Sequence, residues 1–415
     1  MESSSEGRLW SNSVELDDFH GRPRRVSAHA YPKPDRGRDA WLFLWVGCFL
    51  TIALTWAPVC FIILKRYPSY RRVALILGTM TVCLALLTSA FATKVWHLFL
   101  TQGILYGVGA SVVNTVTIQF LNEWFIERKG LAFGIQESGA GMGGIILPVL
   151  MTWGLEKYGH RTMLIAWFVA VAVLSLPAIY FLRGRIAPQP PQLSRAGGLG
   201  DFRFVATPVF ILLQAGNVFQ ALGNFLPGIH LPSFARGFGA SSLGSAGMLS
   251  LYNAATVIGA VFTGWLVDRY HVSVSLLLLS LGAASAVFFA WGFAGGFGEL
   301  CAFAFLYGLF AGGWSSTWVG IGLEVQKRSP RADLTVLWGF AAAARGVGSI
   351  ASGPISEKLV GNALGESAGW PGSYGTVYGI LILFTGGMLA LGGVGSALRV
   401  YELVRRGVME RGHTS

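Results

Sequence analysis

Between Trp41 and Leu398 the chain falls into eleven mostly apolar stretches of about twenty residues or more, separated by short polar loops. They run Trp41–Leu64, Val73–Phe91, Val95–Phe120, Gly130–Leu155, Thr162–Leu182, Val205–Leu231, Ser242–Val267, Val272–Phe293, Leu300–Leu323, Leu334–Ile355 and Thr376–Leu398. A helix of that length crosses a hydrocarbon core of about 30 Å. Lipid offers no partner to backbone N–H and C=O groups, so spans of this kind must be helical. Only 12% of the 415 residues are charged, about half the fraction usual in soluble domains. The expected fold class is therefore all-α and polytopic, with the bilayer itself as a partner.

The longest internal polar break, Arg183–Phe204, carries Pro188, Pro190, Pro191 and a Gly-Gly pair, and splits the spans into five and six. The two groups repeat each other. Leu105-Tyr106-Gly107-Val108-Gly109-Ala110 returns 201 positions later as Leu306-Tyr307-Gly308-Leu309-Phe310-Ala311, and Arg66-Tyr67 resembles Asp268-Arg269-Tyr270. Two related halves joined by a linker are a common build of secondary transporters. The expected organisation is a disordered tail (1–40), an N-terminal half (41–182), a linker (183–204), a C-terminal half (205–398) and a second tail (399–415). The halves do not match in length. Val205 to Arg269 covers 64 positions and two spans, whereas Trp41 to Arg66 covers 25 positions and one, so about 39 residues lack a counterpart.

Charge orients the body. With Lys65–Arg72 on the cytoplasmic side, alternate loops and the C-terminal tail hold 18 Lys and Arg, against 5 in the opposite loops. That asymmetry encodes topology and accounts for the net charge of +11, so nucleic acid is not expected as a partner. The basic N-terminal tail should also be cytoplasmic, yet a single span separates it from Lys65, so either a segment is missing there or Trp41–Leu64 does not cross. Cys48, Cys60, Cys83 and Cys301 lie inside apolar blocks without metal or redox spacing. Neither a metal nor a cofactor is expected. The first 40 residues lack the apolar core and cleavage site of a signal peptide.

The stretch Trp124–Gly144 places a charged loop before a glycine-rich span, with Gly130, Gly134, Glu137, Gly141 and Gly144 on one helical face. Small residues on one face let membrane helices approach closely. Gly139–Gly144 also fits Gly-x-Gly-x-x-Gly, but that pattern binds dinucleotides only between a strand and a helix of a soluble unit. Walker, zincin and Ser-nucleophile motifs are lacking, so an enzyme is not expected. The stretch resembles the signature entering the fifth helix of the monocarboxylate-porter branch of the major facilitator superfamily, its fungal members most closely. Gly264-Trp265-Leu266-Val267-Asp268-Arg269 resembles the superfamily's loop motif, and Asp35–Trp41 resembles, less closely, the turn that opens the first helix. The resemblance covers about Asp35 to Leu398 and implies a twelve-helix transporter. Against that pattern Trp41–Leu64 looks like the start of the first helix spliced to the end of the second, as a skipped exon or a wrong gene model would give. In animal members helix eight keeps an Asp and an Arg. Here Ser242–Val267 offers only Asn253 in mid-span.

Ionisable residues deep in a membrane are functional candidates by default. Arg345 lies near the midplane of its span, and Glu137 about 12 Å into its own. Arg345 is the expected anchor for an anionic substrate and Glu137 the expected proton acceptor; an interhelical structural pair is the bland reading of both. Gln214, Asn217 and Asn224 share one face of Val205–Leu231, with Gln220 beside it, facing either a wet cavity or another helix. Asn114, Trp314 and Ser315, on the helices that the resemblance makes four and ten, join the candidate substrate contacts. Asp268 and Arg269 are expected to form a gating latch. The chain is thus expected to move a small, monocarboxylate-like organic anion or a related metabolite by alternating access with protons, in the plasma membrane. The alternatives are efflux of a secondary metabolite, or a transport-dead protein or sensor.

Overall fold

The computed structural model describes residues 14–16, 23–25, 64, 67–93, 95–186, 202–330, 332–360 and 372–397. Apart from Leu64, the expected span Trp41–Leu64 lies outside the described residues, and with it the shortage before Arg66, most of the linker and the C-terminal tail. Within 1–40, β1 (Val14–Leu16) pairs antiparallel with β2 (Pro23–Arg25). Every other described element is helical.

The other ten expected spans all fall on described helices. α1 is Arg71–Ser89, and a π segment, Phe99–Leu105, leads into α2 (Tyr106–Trp124). α3 (Lys129–Phe181) carries two spans in two arms, broken at Gly159, whose φ of 76° is one that glycine adopts without penalty. α4 (Pro208–Gly237) and α5 (Ser242–Arg269) follow the linker, capped by the side chains of Thr207 and Ser241 on the N–H groups of Phe210 and Gly244. α6 (Val272–Ser285) is prolonged by a π segment, Ala286–Trp291. α7 (Phe297–Ala311) and α8 (Thr317–Arg328) are two pieces of one span, joined through the 3-10 turn Trp314–Ser316. α9 (Leu334–Leu359) and α10 (Gly379–Gly392) complete the body. Large apolar side chains such as Leu176, Phe289 and Ile350 remain exposed on the outside, as a surface that meets lipid requires.

The most extensive helix contact joins α3 to α5, and so joins the two halves. The glycine face expected for Gly130–Gly144 is the face used. A methyl group at Gly130 would come within 2.6 Å of the Gly264 carbonyl oxygen and 2.7 Å of the Asp268 carboxylate. One at Gly134 would strike the carbonyl of Ala260. The two backbones thus meet directly, which only glycine permits. Further along, Ser250 donates to the carbonyl of Ile145 at 2.6 Å.

The repeat is visible in the ion pairs. Glu123, near the end of α2, pairs with Arg71 at the start of α1. Glu324, at the same 201-residue offset, lies 3.4 Å from the His271 imidazole beside the start of α6, and pairs with Lys327 at 3.3 Å and Arg328 at 3.0 Å.

Candidate functional site

Four elements of the C-terminal half and the first arm of α3 bring most of the expected residues together. On α4, positions 217, 220 and 224 turn inward at helical spacing. Asn217, 1% exposed, is a fully used node. Its carbonyl oxygen accepts from the indole N–H groups of Trp314 (3.0 Å) and Trp318 (3.2 Å). Its amide donates to the carbonyl of Ala341 on α9 at 2.7 Å and, more weakly, to Gln214 at 3.4 Å. Asn217 therefore pins α4, α8 and α9 together. The Trp314–Ser316 turn makes this possible, because it brings Trp314 and Trp318 onto one oxygen.

One turn further along α4, Gln220 donates to the side-chain oxygen of Asn224 at 2.9 Å. The oxygen of Gln220 in turn accepts from Arg345 at 3.4 Å. The backbone carbonyl of Asn224 accepts from the Tyr307 hydroxyl at 2.9 Å. Arg345 stands on α9 where that helix packs against α4; a methyl group at Gly348, one turn later, would touch Ala221 at 2.6 Å. Its guanidinium lies 5.0 Å from the ring centre of Phe225. Across from it, Glu137 on α3 is within electrostatic reach of Arg345 and hydrogen-bonding reach of Ser315. Tyr252 and Tyr307 are also within electrostatic reach of the guanidinium.

Arg345 is thus a half-buried cation whose only side-chain hydrogen bond among the described residues is long. Such a cation needs further partners. Its fork geometry suits a carboxylate. Glu137 supplies an opposing charge without a direct ion pair to it among the described residues.

Other expected residues lie apart. Asn114 is half-buried on α2 and makes no described hydrogen bond to this group. Asn253 turns its amide onto the carbonyl of Leu249 at 2.8 Å and fills the space over Gly144. Asp268 sits at the end of α5 and accepts from the backbone N–H groups of Gly130 (2.7 Å) and Leu131 (2.8 Å), the first turn of α3. Arg269 stacks its guanidinium on Trp265 at 5.8 Å.

The model for the Major Facilitator Superfamily matches residues 40–354. The chain belongs to that superfamily. Among known proteins it is 31% identical over 244 residues to the MFS-type transporter pynF of Aspergillus niger, covering 58% of this chain and 54% of that protein. It is 28% identical over 243 residues to an agnestins efflux protein of Paecilomyces divaricatus, with the same two coverages. Monocarboxylate transporter 12 of Xenopus laevis matches at 26% over 267 residues, 59% of this chain and 57% of that protein. The chain thus spans about half the length of these relatives. Among solved structures the E. coli fucose:proton symporter superposes with a TM-score of 0.60 at 15% identity, covering 87% of this chain and 97% of that one. This likeness shows the major facilitator fold, and with the apolar helices it makes the chain a multi-pass membrane protein.

Tyr252, Tyr307 and Phe225 were not among the expected site residues. Tyr307 stands inside the repeated Leu-Tyr-Gly motif and reads as a repeat marker, while Tyr252 is overshadowed by the more polar Asn253. Only the contacts across helices reveal their place.

Proposed function

We propose that this major facilitator protein carries a small organic anion of the monocarboxylate kind by alternating access coupled to protons, at the plasma membrane. The observation that carries this reading is Arg345, held inside the packed helices with donors to spare and faced by Glu137. A carboxylate arriving at Arg345 competes with Glu137 for the same positive charge. Glu137 then gains by taking up a proton, which couples the two cargoes. Asp268, tying α5 to the first turn of α3, serves as the latch between the halves.

The test is uptake of radiolabelled monocarboxylates into proteoliposomes under an inward proton gradient. Arg345→Lys, which keeps the charge but loses the bidentate fork, should cut uptake at least about tenfold with the protein still inserted. Glu137→Gln should keep exchange of internal for external substrate while losing accumulation driven by the gradient. Unchanged kinetics in Arg345→Lys would remove that residue from the site. No transport by the wild-type chain would favour the transport-dead reading.

Efflux of a secondary metabolite is the second reading, favoured by the relative named as an efflux protein. Transport into everted vesicles, insensitive to Arg345→Lys, would support it over the first.

A further inference from the structure

The surroundings of Arg345 are aromatic. Phe225 follows Asn224 on α4 and lies under the guanidinium, yet it leaves 38% of its surface uncovered. A partly uncovered apolar ring therefore adjoins the cation. The half-buried ring of Tyr252, within electrostatic reach of the guanidinium, stacks on Tyr307, with centres 5.8 Å apart and planes inclined by 21°. Tyr307 cannot swing away, because its hydroxyl is tied to the Asn224 carbonyl and its ring packs on Phe303 at 5.4 Å. Phe303 in turn stacks on Trp291 at 5.0 Å, so Tyr252 ends a column of four rings anchored in the C-terminal half. Gly308 lets α5 and α7 approach closely enough for this stack; a methyl group there would strike the carbonyl of Tyr252.

A saturated chain gains from such surfaces only through burial. A planar π system gains also from stacking in offset or edge-on contact, and it can lie flat on a fixed ring without strain. A site offering one carboxylate fork between rings selects for substrates that are both anionic and flat.

We propose that Arg345, Phe225 and Tyr252 form a subsite for aryl carboxylates, with the carboxylate on Arg345 and the aromatic ring against Phe225 and Tyr252. The proposal rests on the reading of Arg345 as the anion anchor and specifies its substrate class. Small aliphatic acids use the anchor alone and bind more weakly.

The test compares benzoate with cyclohexanecarboxylate, which differ in planarity far more than in size, and with acetate, in proteoliposome uptake. The wild-type protein should prefer benzoate to cyclohexanecarboxylate. Phe225→Leu should lower the ratio of their uptake efficiencies by about tenfold, and Phe225→Tyr, which restores a ring, should recover it. Phe289→Leu, at an exposed position on the π segment Ala286–Trp291, is the control and should leave the ratio as it is. Equal handling of the two acids by the wild-type protein, or an unchanged ratio in Phe225→Leu, would overturn the aryl subsite while leaving Arg345 as an anchor. Insensitivity of all three acids to Arg345→Lys, or no uptake of any of them by the wild-type protein, would overturn the parent reading and this one with it.

Discussion

The contact between Asp268 and α3 offers a perturbation whose size can be worked from geometry. The carboxylate accepts two backbone N–H bonds, at 2.7 and 2.8 Å, from the first turn of α3. Asp268→Asn keeps one acceptor oxygen but turns an N–H₂ toward the other donor, so one charge-assisted bond is lost. Such a bond is worth about 1.5–3 kcal/mol. Asp268 is exposed, so the low end of that range applies. Loss of the negative charge at a helix N-terminus adds about 0.5 kcal/mol. The total, about 2 kcal/mol, shifts the balance between the latched and unlatched ends of the halves by about 30-fold. The assay is electron–electron spin distance measurement in nanodiscs, with labels at Arg128 and Tyr270, both exposed beside the contact. Asp268→Asn should move a large share of the distribution to longer separations, and high salt should do so only weakly. An unchanged distribution would refute the latch.

Three further outcomes follow from the packing. Replacing Asn217 with Leu strands two indole N–H groups and the carbonyl of Ala341, so thermal unfolding in detergent should show a loss of about 2–4 kcal/mol. Gly264→Val forces a side chain into the backbone of Gly130 and Gly134 and should cost about 1–3 kcal/mol by the same measurement; Gly346→Ala, whose new methyl group meets nothing within 4 Å, should be nearly neutral. Glu123→Gln and Glu324→Gln each remove the acid of a repeat-related ion pair, and both should lower stability, Glu324→Gln more, since three basic groups surround it.

How much of this was legible beforehand follows from physical range. The spans were readable because lipid demands long apolar helices, and ten of them lie where the hydrophobic blocks do. The glycine face of α3 was readable because helical periodicity is local, although its partner on α5 was not. Glu137 and Arg345 stood out as costly charges in lipid, and they lie within electrostatic reach of each other. The α4 stripe shows the limit. Gln214, Asn217 and Asn224 share a side by periodicity, yet Asn217 spends its bonds on Trp314, Trp318 and Ala341, while Gln220 reaches Arg345. Periodicity fixes which face a residue is on. It does not say whether the neighbour across that face is solvent, a tryptophan or an arginine. Phe225 and Tyr252 escaped notice for the same reason, since an aromatic residue in an apolar span carries no local mark of the cation beside it.

The central claim is that Arg345 holds the substrate's anionic group. Equilibrium binding of radiolabelled benzoate to the purified protein, measured by scintillation proximity, tests it without the complications of transport direction or coupling. Arg345→Gln, which removes the charge and retains an amide, should weaken binding by at least about tenfold, equivalent to the loss of one charge-assisted hydrogen bond. Binding of equal strength in the two proteins would contradict the account.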